Sequence, residues 1–203
     1  ITKPHLLSIG PGNLGNLENN VLKFADDTKL FGPVNSHDGG ARLQQDLNTI
    51  ADWAKKWQME FNVSKCKVVH YGRNNIGCRY SMQGQPLPEA ETEKDLGVRF
   101  TNDLKVSAQC KDVYSKANRM LGLISRTIKY RNPVVLLNLY KSLVRPHLDY
   151  CSAVWSPQYR KDVSLLERVQ HRFTRLFTHY KGLPYEERLH QLGLWSLEER
   201  RNR

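Results

Sequence analysis

Residues 20–31, from Asn20 to Phe31, read NVLKFADDTKLF. Two short runs of β-prone residues flank Ala25-Asp26-Asp27, a pattern that predicts a hairpin with its acids at the tip. In an extended strand neighbouring side chains point to opposite faces, but a tight turn presents one or both carboxylates beside a shared cation. Hard Mg²⁺ prefers carboxylate and phosphate oxygens. Two-metal phosphoryl transfer needs carboxylates of this kind, which hold ions that activate the attacking oxygen and stabilise the leaving one. Adjacent aspartates are also ordinary turn chemistry, so the dipeptide alone leaves both readings open.

Beyond the hairpin the period changes. After the Gly39-Gly40 break, Leu43, Leu47, Ile50, Ala51, Ala54 and Trp57 recur at helical spacing and predict an amphipathic helix that covers a sheet. KCKVVHYG (65–72), CRYSMQG (78–84) and KDLGVRF (94–100) read as three short strands separated by Gly, Asn and Pro turns. Val106, Cys110, Val113, Ala117, Leu121, Ile124 and Ile128 then form the stripe of a long helix. Asn132-Pro133 is a cap followed by proline at the first helical position. It opens a second helix with Leu136, Leu139, Tyr140 and Leu143 among its apolar positions, and Arg145-Pro146 is expected to interrupt it. A third helix after Pro157 turns Val163, Leu166, Val169, Phe173, Leu176 and Phe177 inward and leaves Arg168, Arg172 and Arg175 to solvent. The expected organisation is an irregular lead-in over residues 1–19, a mixed segment over 20–103 and a helical, basic segment over 104–203, an α+β chain without internal repeats.

Composition narrows the function classes. Of 203 residues, 39% are hydrophobic and 25% charged, proportions that exclude a disordered or fibrous chain. No apolar run approaches the ~20 residues that span a bilayer, and the first residues lack a signal-peptide core, so neither secretion nor membrane insertion is expected. The chain starts at Ile1, which suggests that residues upstream are missing. Cys66, Cys78, Cys110 and Cys151 include no C-x-x-C pair and read as reduced thiols. A Cys66/His70/Cys78 zinc site has a usable spacing but lacks a fourth ligand. Lysine and arginine number 31 against 20 acidic residues, a net charge of +11. Residues 1–100 hold 12 basic and 11 acidic residues, whereas residues 101–203 hold 19 and 9. Cations clustered in this way attract polyanions and release their counterions; a solvated helical surface is the plain alternative.

Phe24-Ala25-Asp26-Asp27, followed by Thr28-Lys29-Leu30, resembles the aromatic-Ala-Asp-Asp box of reverse transcriptases, in the form found in non-LTR retrotransposons of the chicken-repeat and jockey type. The similarity runs on through DLNTIADWAKKWQMEFNVSKCKVVHYGRNN (46–75), EKDLGVRF (93–100), LYKSLVRPHLDYCSAVWSPQYRKDVSLLERVQ (139–170) and LPYEERLHQLGLWSLEERR (183–201). It covers roughly residues 20–203, with the blocks in the family's order.

The resemblance implies a partial polymerase palm over 20–103, then a thumb and C-terminal extension over 104–203. Asp26 would be the palm carboxylate that binds catalytic Mg²⁺, and Asp27 the neighbour that supports or shares the site. Phe24 would hold the aromatic position near the primer end. Lys65 matches a palm lysine, a candidate proton donor to pyrophosphate or an orienting cation, with a plain surface lysine as the alternative. Leu96-Gly97 matches the turn that positions the primer backbone, with a Gly bulge as the alternative. Arg119, Arg126, Lys129 and Arg131 on the first long helix, and Arg168, Arg172 and Arg175 on the third, would contact phosphates of an RNA–DNA heteroduplex, contacts that position without reading sequence. Tyr150, Trp155, Tyr159 and Trp195 are candidates for base stacking or for core anchors.

The implied function is RNA-directed DNA polymerisation with two Mg²⁺ ions, an RNA template, a DNA primer and deoxynucleotides, inside the cell in the nucleus or cytoplasm. The family's earlier palm aspartate, its Gly-containing block and its fingers do not appear before Phe24, where GNLGNLENN (12–20) stands instead. This chain alone is therefore expected to be weak or inactive. Two rival readings are a non-catalytic basic nucleic-acid-binding module and a structural or interaction relic.

Overall fold

The β-prone runs at 20–31 pair as expected: β1 (Asn20–Phe24) and β2 (Asp27–Phe31) are antiparallel, with Phe24 opposite Asp27 and Val21 opposite Leu30. The computed structural model describes residues 17–24, 27–59, 61–130 and 132–203. These fall into two units: the described part of Ile1–Glu93 with Thr101–Leu104, and Lys94–Phe100 with Lys105–Arg203. Small antiparallel hairpins and many helices make the chain α+β.

In the first unit α1 (His37–Lys56) starts ahead of Gly39-Gly40, so the expected break lies inside the helix. Ser36 caps it, accepting a hydrogen bond from the Gly39 amide at 3.3 Å. Glycine is required at 40 by close packing: a Cβ there would stand 2.4 Å from the Cys78 Sγ. Ile50 and Ala54 of α1 are buried with Phe61, Cys66 and Met82, and Val21 and Leu30 of the hairpin pack against the same cluster. Trp57, expected on that apolar face, is exposed at the end of the helix. The buried Asp46 carboxylate accepts from the Glu18 amide at 3.2 Å and from the Asn19 amide and side chain at 2.8 and 2.9 Å. It thereby ties the entry of β1 to α1 and satisfies a charge that burial would otherwise penalise.

Two strand expectations change. Residues 65–72 form no strand: a 3-10 turn at Val63–Lys65 leads into one isolated parallel bridge, Val68 to Glu89. The facing segment carries Pro86 and Pro88, which lack the amide a ladder needs. CRYSMQG contributes β3 (Ser81–Met82), which pairs with β4 (Gln85–Pro86). KDLGVRF is two strand ends and a turn: β5 (Thr92–Asp95) pairs with β6 (Val98–Thr101) around Leu96 and Gly97. Both residues have positive φ, 43° and 87°, as a two-residue type I′ connection demands.

In the second unit α2 (Ser107–Thr127) buries Cys110, Val113, Ala117, Leu121 and Ile124, the expected stripe. α3 (Pro133–Leu139) is capped by Asn132, whose side chain accepts from the Val134 and Val135 amides. Arg145-Pro146 does not end the helical run. Tyr140–Val144 widens into a π-turn, in which the Arg145 amide reaches back to the Tyr140 carbonyl, and α4 (Arg145–Asp149) continues from it. A π-turn absorbs the proline because the wider loop relieves the missing amide and the clash of its ring with the preceding turn. It also shifts the register: Leu136, Tyr140, Val144 and Leu148 are buried at intervals of four, and Leu143, expected inward, is 42% exposed.

α5 (Ser152–Trp155) brings Trp155 into the core, where its indole Nε1 donates to the Tyr150 carbonyl at 2.8 Å. α6 (Arg160–Thr174) packs along α2 with Leu166, Val169 and Phe173 buried. α7 (Tyr185–Gln191) and α8 (Leu197–Asn202) close the unit. Gln170, fully buried, accepts from the Tyr140 hydroxyl at 2.7 Å and donates to the Tyr185 hydroxyl at 3.1 Å and the Trp195 carbonyl at 2.9 Å. Glu167 accepts from Tyr185 and from the Leu197 amide.

Burial raises the Glu167 carboxyl above its ordinary value of 4.5, against the opposing pull of those hydrogen bonds. The folded state therefore binds this proton more tightly than the unfolded chain. Its contribution to stability is full below the unfolded value and is lost as pH rises through the raised folded value. Denaturation midpoints measured at intervals between pH 4 and pH 7 are expected to fall less steeply for Glu167→Gln than for the parent. Parallel curves would rule the linkage out. Among the described residues no helix is long and apolar enough to cross a membrane.

Candidate nucleic-acid interface

Two features bring the expected site residues into defined places, one in each unit. In the first, the β1–β2 register sets Phe24, 63% exposed, directly opposite the half-buried Asp27 at the mouth of the hairpin. Asp26 lies outside the described residues. Lys65 ends the 3-10 turn with its side chain exposed. Val63 of that turn packs on the cluster that also receives Val21 and Leu30, so one small core positions hairpin and lysine. Lys23, beside the box, stands 4.7 Å from the centre of the Trp53 ring, and burial lowers its pKa.

The Cys66/His70/Cys78 trio, whose spacing offered no fourth ligand, does not assemble into a metal site. Cys66 is buried and donates to the Asn62 carbonyl, while His70 stacks on Tyr80 at 6.5 Å. Among the described residues no group of three or more His, Cys, Asp or Glu side chains is placed to hold a metal ion. For Mg²⁺ the described part of the hairpin supplies one oxygen donor of suitable chemistry, Asp27. The buried Asp46 carboxylate of this unit is engaged by backbone and side-chain amides.

In the second unit the Leu96-Gly97 turn is held by a residue that the spacing did not single out for this task. The Tyr150 hydroxyl donates to the Leu96 carbonyl at 2.9 Å, and a Cβ on Gly97 would come within 3.1 Å of the Tyr150 ring. Tyr150 is thus not a core anchor: it is 55% exposed and its hydroxyl is committed to the turn. At the base of β6, Arg99 pairs with Asp112 at 2.7 Å and its amide donates to the buried Gln109 side chain at 2.8 Å. Tyr150→Phe removes one exposed hydrogen bond, worth about 1 kcal/mol. Its expected signature is local: faster amide exchange across residues 92–101 with nearly unchanged global stability. Unchanged exchange there would mean that the tyrosine does not restrain the turn.

Along α2 and α6 an open groove of about 1000 Å³ is lined by Tyr114, Asn118 and Arg119 from one helix and by Arg168, His171, Arg172 and Arg175 from α6 and its end. Arg172 is steadied by Asn118 Oδ1 at 3.2 Å. His171 lies flat on Tyr185, ring centres 3.5 Å apart. Its pKa is lowered, first by burial and then by Arg188 and Arg175, with Glu186 opposing. Arg119, Arg168, Arg172 and Arg175 therefore share one surface. Arg126 and Lys129 are exposed farther along the chain, outside this groove, and Arg131 lies outside the described residues. Asn118 and His171 were missed by the sequence reading. A polar stripe at i, i+3, i+4 and i+7 over residues 168, 171, 172 and 175 marks the α6 face, but no pattern in the sequence says that an arginine of α2 confronts it.

The chain is 24% identical over 160 residues to the RNA-directed DNA polymerase from mobile element jockey of Drosophila melanogaster, an alignment covering 76% of this chain and 18% of that protein. Its curated homologues are RNA-directed DNA polymerases of non-LTR retrotransposons. The probable RNA-directed DNA polymerase from transposon X-element is 22% identical over 163 residues, covering 78% of this chain and 18% of that protein. The corresponding protein from transposon BS is 25% identical over 199 residues, covering 90% of this chain and 21% of that protein; both are from D. melanogaster. The chain spans about a fifth of the length of these polymerases. No family model matches the sequence, and no solved structure matches the fold.

Proposed function

We propose that this chain is a segment of an RNA-directed DNA polymerase, carrying the later part of the palm in its first unit and the thumb in its second. The observation that carries the reading is the relationship to retrotransposon polymerases, which extends over 76–90% of the chain. In this reading Asp26 and Asp27 hold Mg²⁺, which when bound neutralises charge as a primer 3′-hydroxyl attacks the α-phosphate of a deoxynucleotide.

The remaining roles belong to residues whose placement supports them. Lys65, an exposed cation, gives a proton to, or orients, the departing pyrophosphate. Phe24 offers an exposed apolar face to the primer end. Leu96 and Gly97 form a tight, Tyr150-restrained turn that the primer backbone approaches closely. Arg119, Arg126, Lys129, Arg168, Arg172 and Arg175 contact nucleic-acid phosphates without reading bases. Such a chain works inside the cell, in the nucleus or cytoplasm, with RNA template, DNA primer and deoxynucleotides as its partners.

The test is RNA-templated primer extension by a jockey-type polymerase whose matching segment is replaced by residues 20–203. Synthesis that depends on the transplanted aspartates supports the reading. A folded chimera that binds hybrid but synthesises nothing counts against it. A non-catalytic nucleic-acid-binding role is the second reading, favoured by the arginine groove, and it predicts binding that survives loss of both aspartates.

A further inference from the structure

The arginines of the second unit divide into two kinds. Most of those away from the groove meet a carboxylate or lie over an aromatic ring: Arg99 pairs with Asp112 at 2.7 Å, Arg200 with Asp149 at 2.9 Å and Arg145 with Asp149 at 3.7 Å, and Arg203 lies over the Trp195 ring. The groove arginines do not. Its lining contains no Asp or Glu, and none of the ion pairs among the described residues includes Arg119, Arg168, Arg172 or Arg175. Arg172 is held by a neutral amide instead. Four like charges gathered without a counter-charge are mutually repulsive, and an external anion relieves that repulsion.

The lining restricts that anion. The α2–α6 groove is lined by a single run of arginines along α6 faced by Arg119, a track for one backbone. A paired duplex could lay one of its two backbones there, but its bases stay stacked inside the helix. From Arg168 to Arg175 the wall runs about 10 Å at 1.5 Å per residue, room for a short run of phosphates. Tyr114 and the His171 ring, backed by Tyr185, add aromatic faces. Such faces are useful only to bases that are free to unstack.

We propose that the α2–α6 groove binds the backbone of a single-stranded polynucleotide, independently of its sequence. The choice of a polynucleotide over another polyanion rests on the polymerase reading above; the restriction to one strand rests on the aromatic faces beside the arginines. In a polymerase such a groove would guide unpaired template, a task separate from gripping the heteroduplex.

The experiment titrates the full chain into labelled oligouridine, and separately into an RNA–DNA hybrid of the same length, at several salt concentrations. The parent is compared with Arg168→Gln/Arg172→Gln and with a control of equal charge change outside the groove lining, Arg160→Gln/Lys161→Gln. Circular dichroism checks that all three fold. The groove variant is expected to lose roughly tenfold or more in oligouridine affinity at low salt. Its salt slope should become shallower by about 1.4, at about 0.7 per lost phosphate contact. Hybrid binding should change no more than in the control.

Equal losses in both variants, or equal losses on hybrid and single strand, overturn the inference and leave the polymerase reading standing. Polyglutamate competing as well as oligouridine, charge for charge, overturns it in favour of an acidic protein partner. A parent chain that binds neither nucleic acid overturns the inference and the nucleic-acid part of the polymerase reading together.

Discussion

Replacing Asp26 and Asp27 together by asparagine is expected to reduce RNA-templated DNA synthesis about a thousandfold or more, in a polymerase that carries residues 20–203 as its matching segment. Asparagine keeps the size of aspartate and its tolerance of tight turns, so the substitution removes charge with little disturbance of the hairpin. Carboxylates that hold catalytic cations contribute several kcal/mol of transition-state stabilisation. At 1.36 kcal/mol per factor of ten, a loss of about 4 kcal/mol is three orders of magnitude. The β1–β2 pairing is set by the alternation of Val21 and Leu30 against the α1 cluster rather than by charge at the tip, so the register survives. Hybrid affinity should stay within about twofold, because the basic residues proposed to contact phosphate belong to other elements. Single-turnover primer extension separates the two quantities. Synthesis within tenfold of the parent would show that these aspartates are turn residues and nothing more.

The second large effect is on stability. Phe173→Ala is expected to destabilise the chain by about 3–5 kcal/mol. Phe173 has no exposed surface, stacks on Tyr140 with ring centres 4.1 Å apart and 12° between planes, and meets Phe177 edge-on at 5.3 Å. Tyr140 is equally buried, and its hydroxyl reaches Gln170 at 2.7 Å. The lost ring therefore leaves a cavity beside a polar network that depends on a fixed tyrosine. Burial and the nearby Glu167 and Asp149 charges raise the Tyr140 phenol, so it remains a donor at any moderate pH and cannot adapt by ionising. The neighbouring Arg172→Ala, at an exposed position, should cost no more than about 0.5 kcal/mol. Urea midpoints of the two variants give the contrast. A loss below 1 kcal/mol for Phe173→Ala would mean that the core around α6 is loosely packed.

The α+β class, the hairpin, the long helix at 106–128 and the Asn132-Pro133 cap were legible because each rests on signals within a few residues: alternation, a 3.6-residue period and capping chemistry. The expectations that changed depended on partners distant in sequence. Gly39-Gly40 reads as a break until Cys78 packs on Gly40. KCKVVHYG reads as a strand, yet it faces a proline-bearing segment that cannot extend a ladder. Pro146 reads as a stop, yet a π-turn carries the chain past it and exchanges Leu143 for Val144 in the core.

The same division holds for function. The chain's relation to retrotransposon polymerases, its paired aspartates and the +11 charge weighted to the second half are properties of the sequence, readable because residue identity and order carry them. Which of those cations act together is decided by tertiary structure. Arg119 and Arg172 are 53 positions apart in the chain and share a groove because the apolar stripes of α2 and α6 pack against each other and carry their polar flanks along. Tyr150, at the end of α4, likewise meets Leu96 of the β5–β6 turn only in the folded chain, across a separation of 54. Helical periodicity determines what faces a core, and only the packing of one face on another determines what meets at its rim.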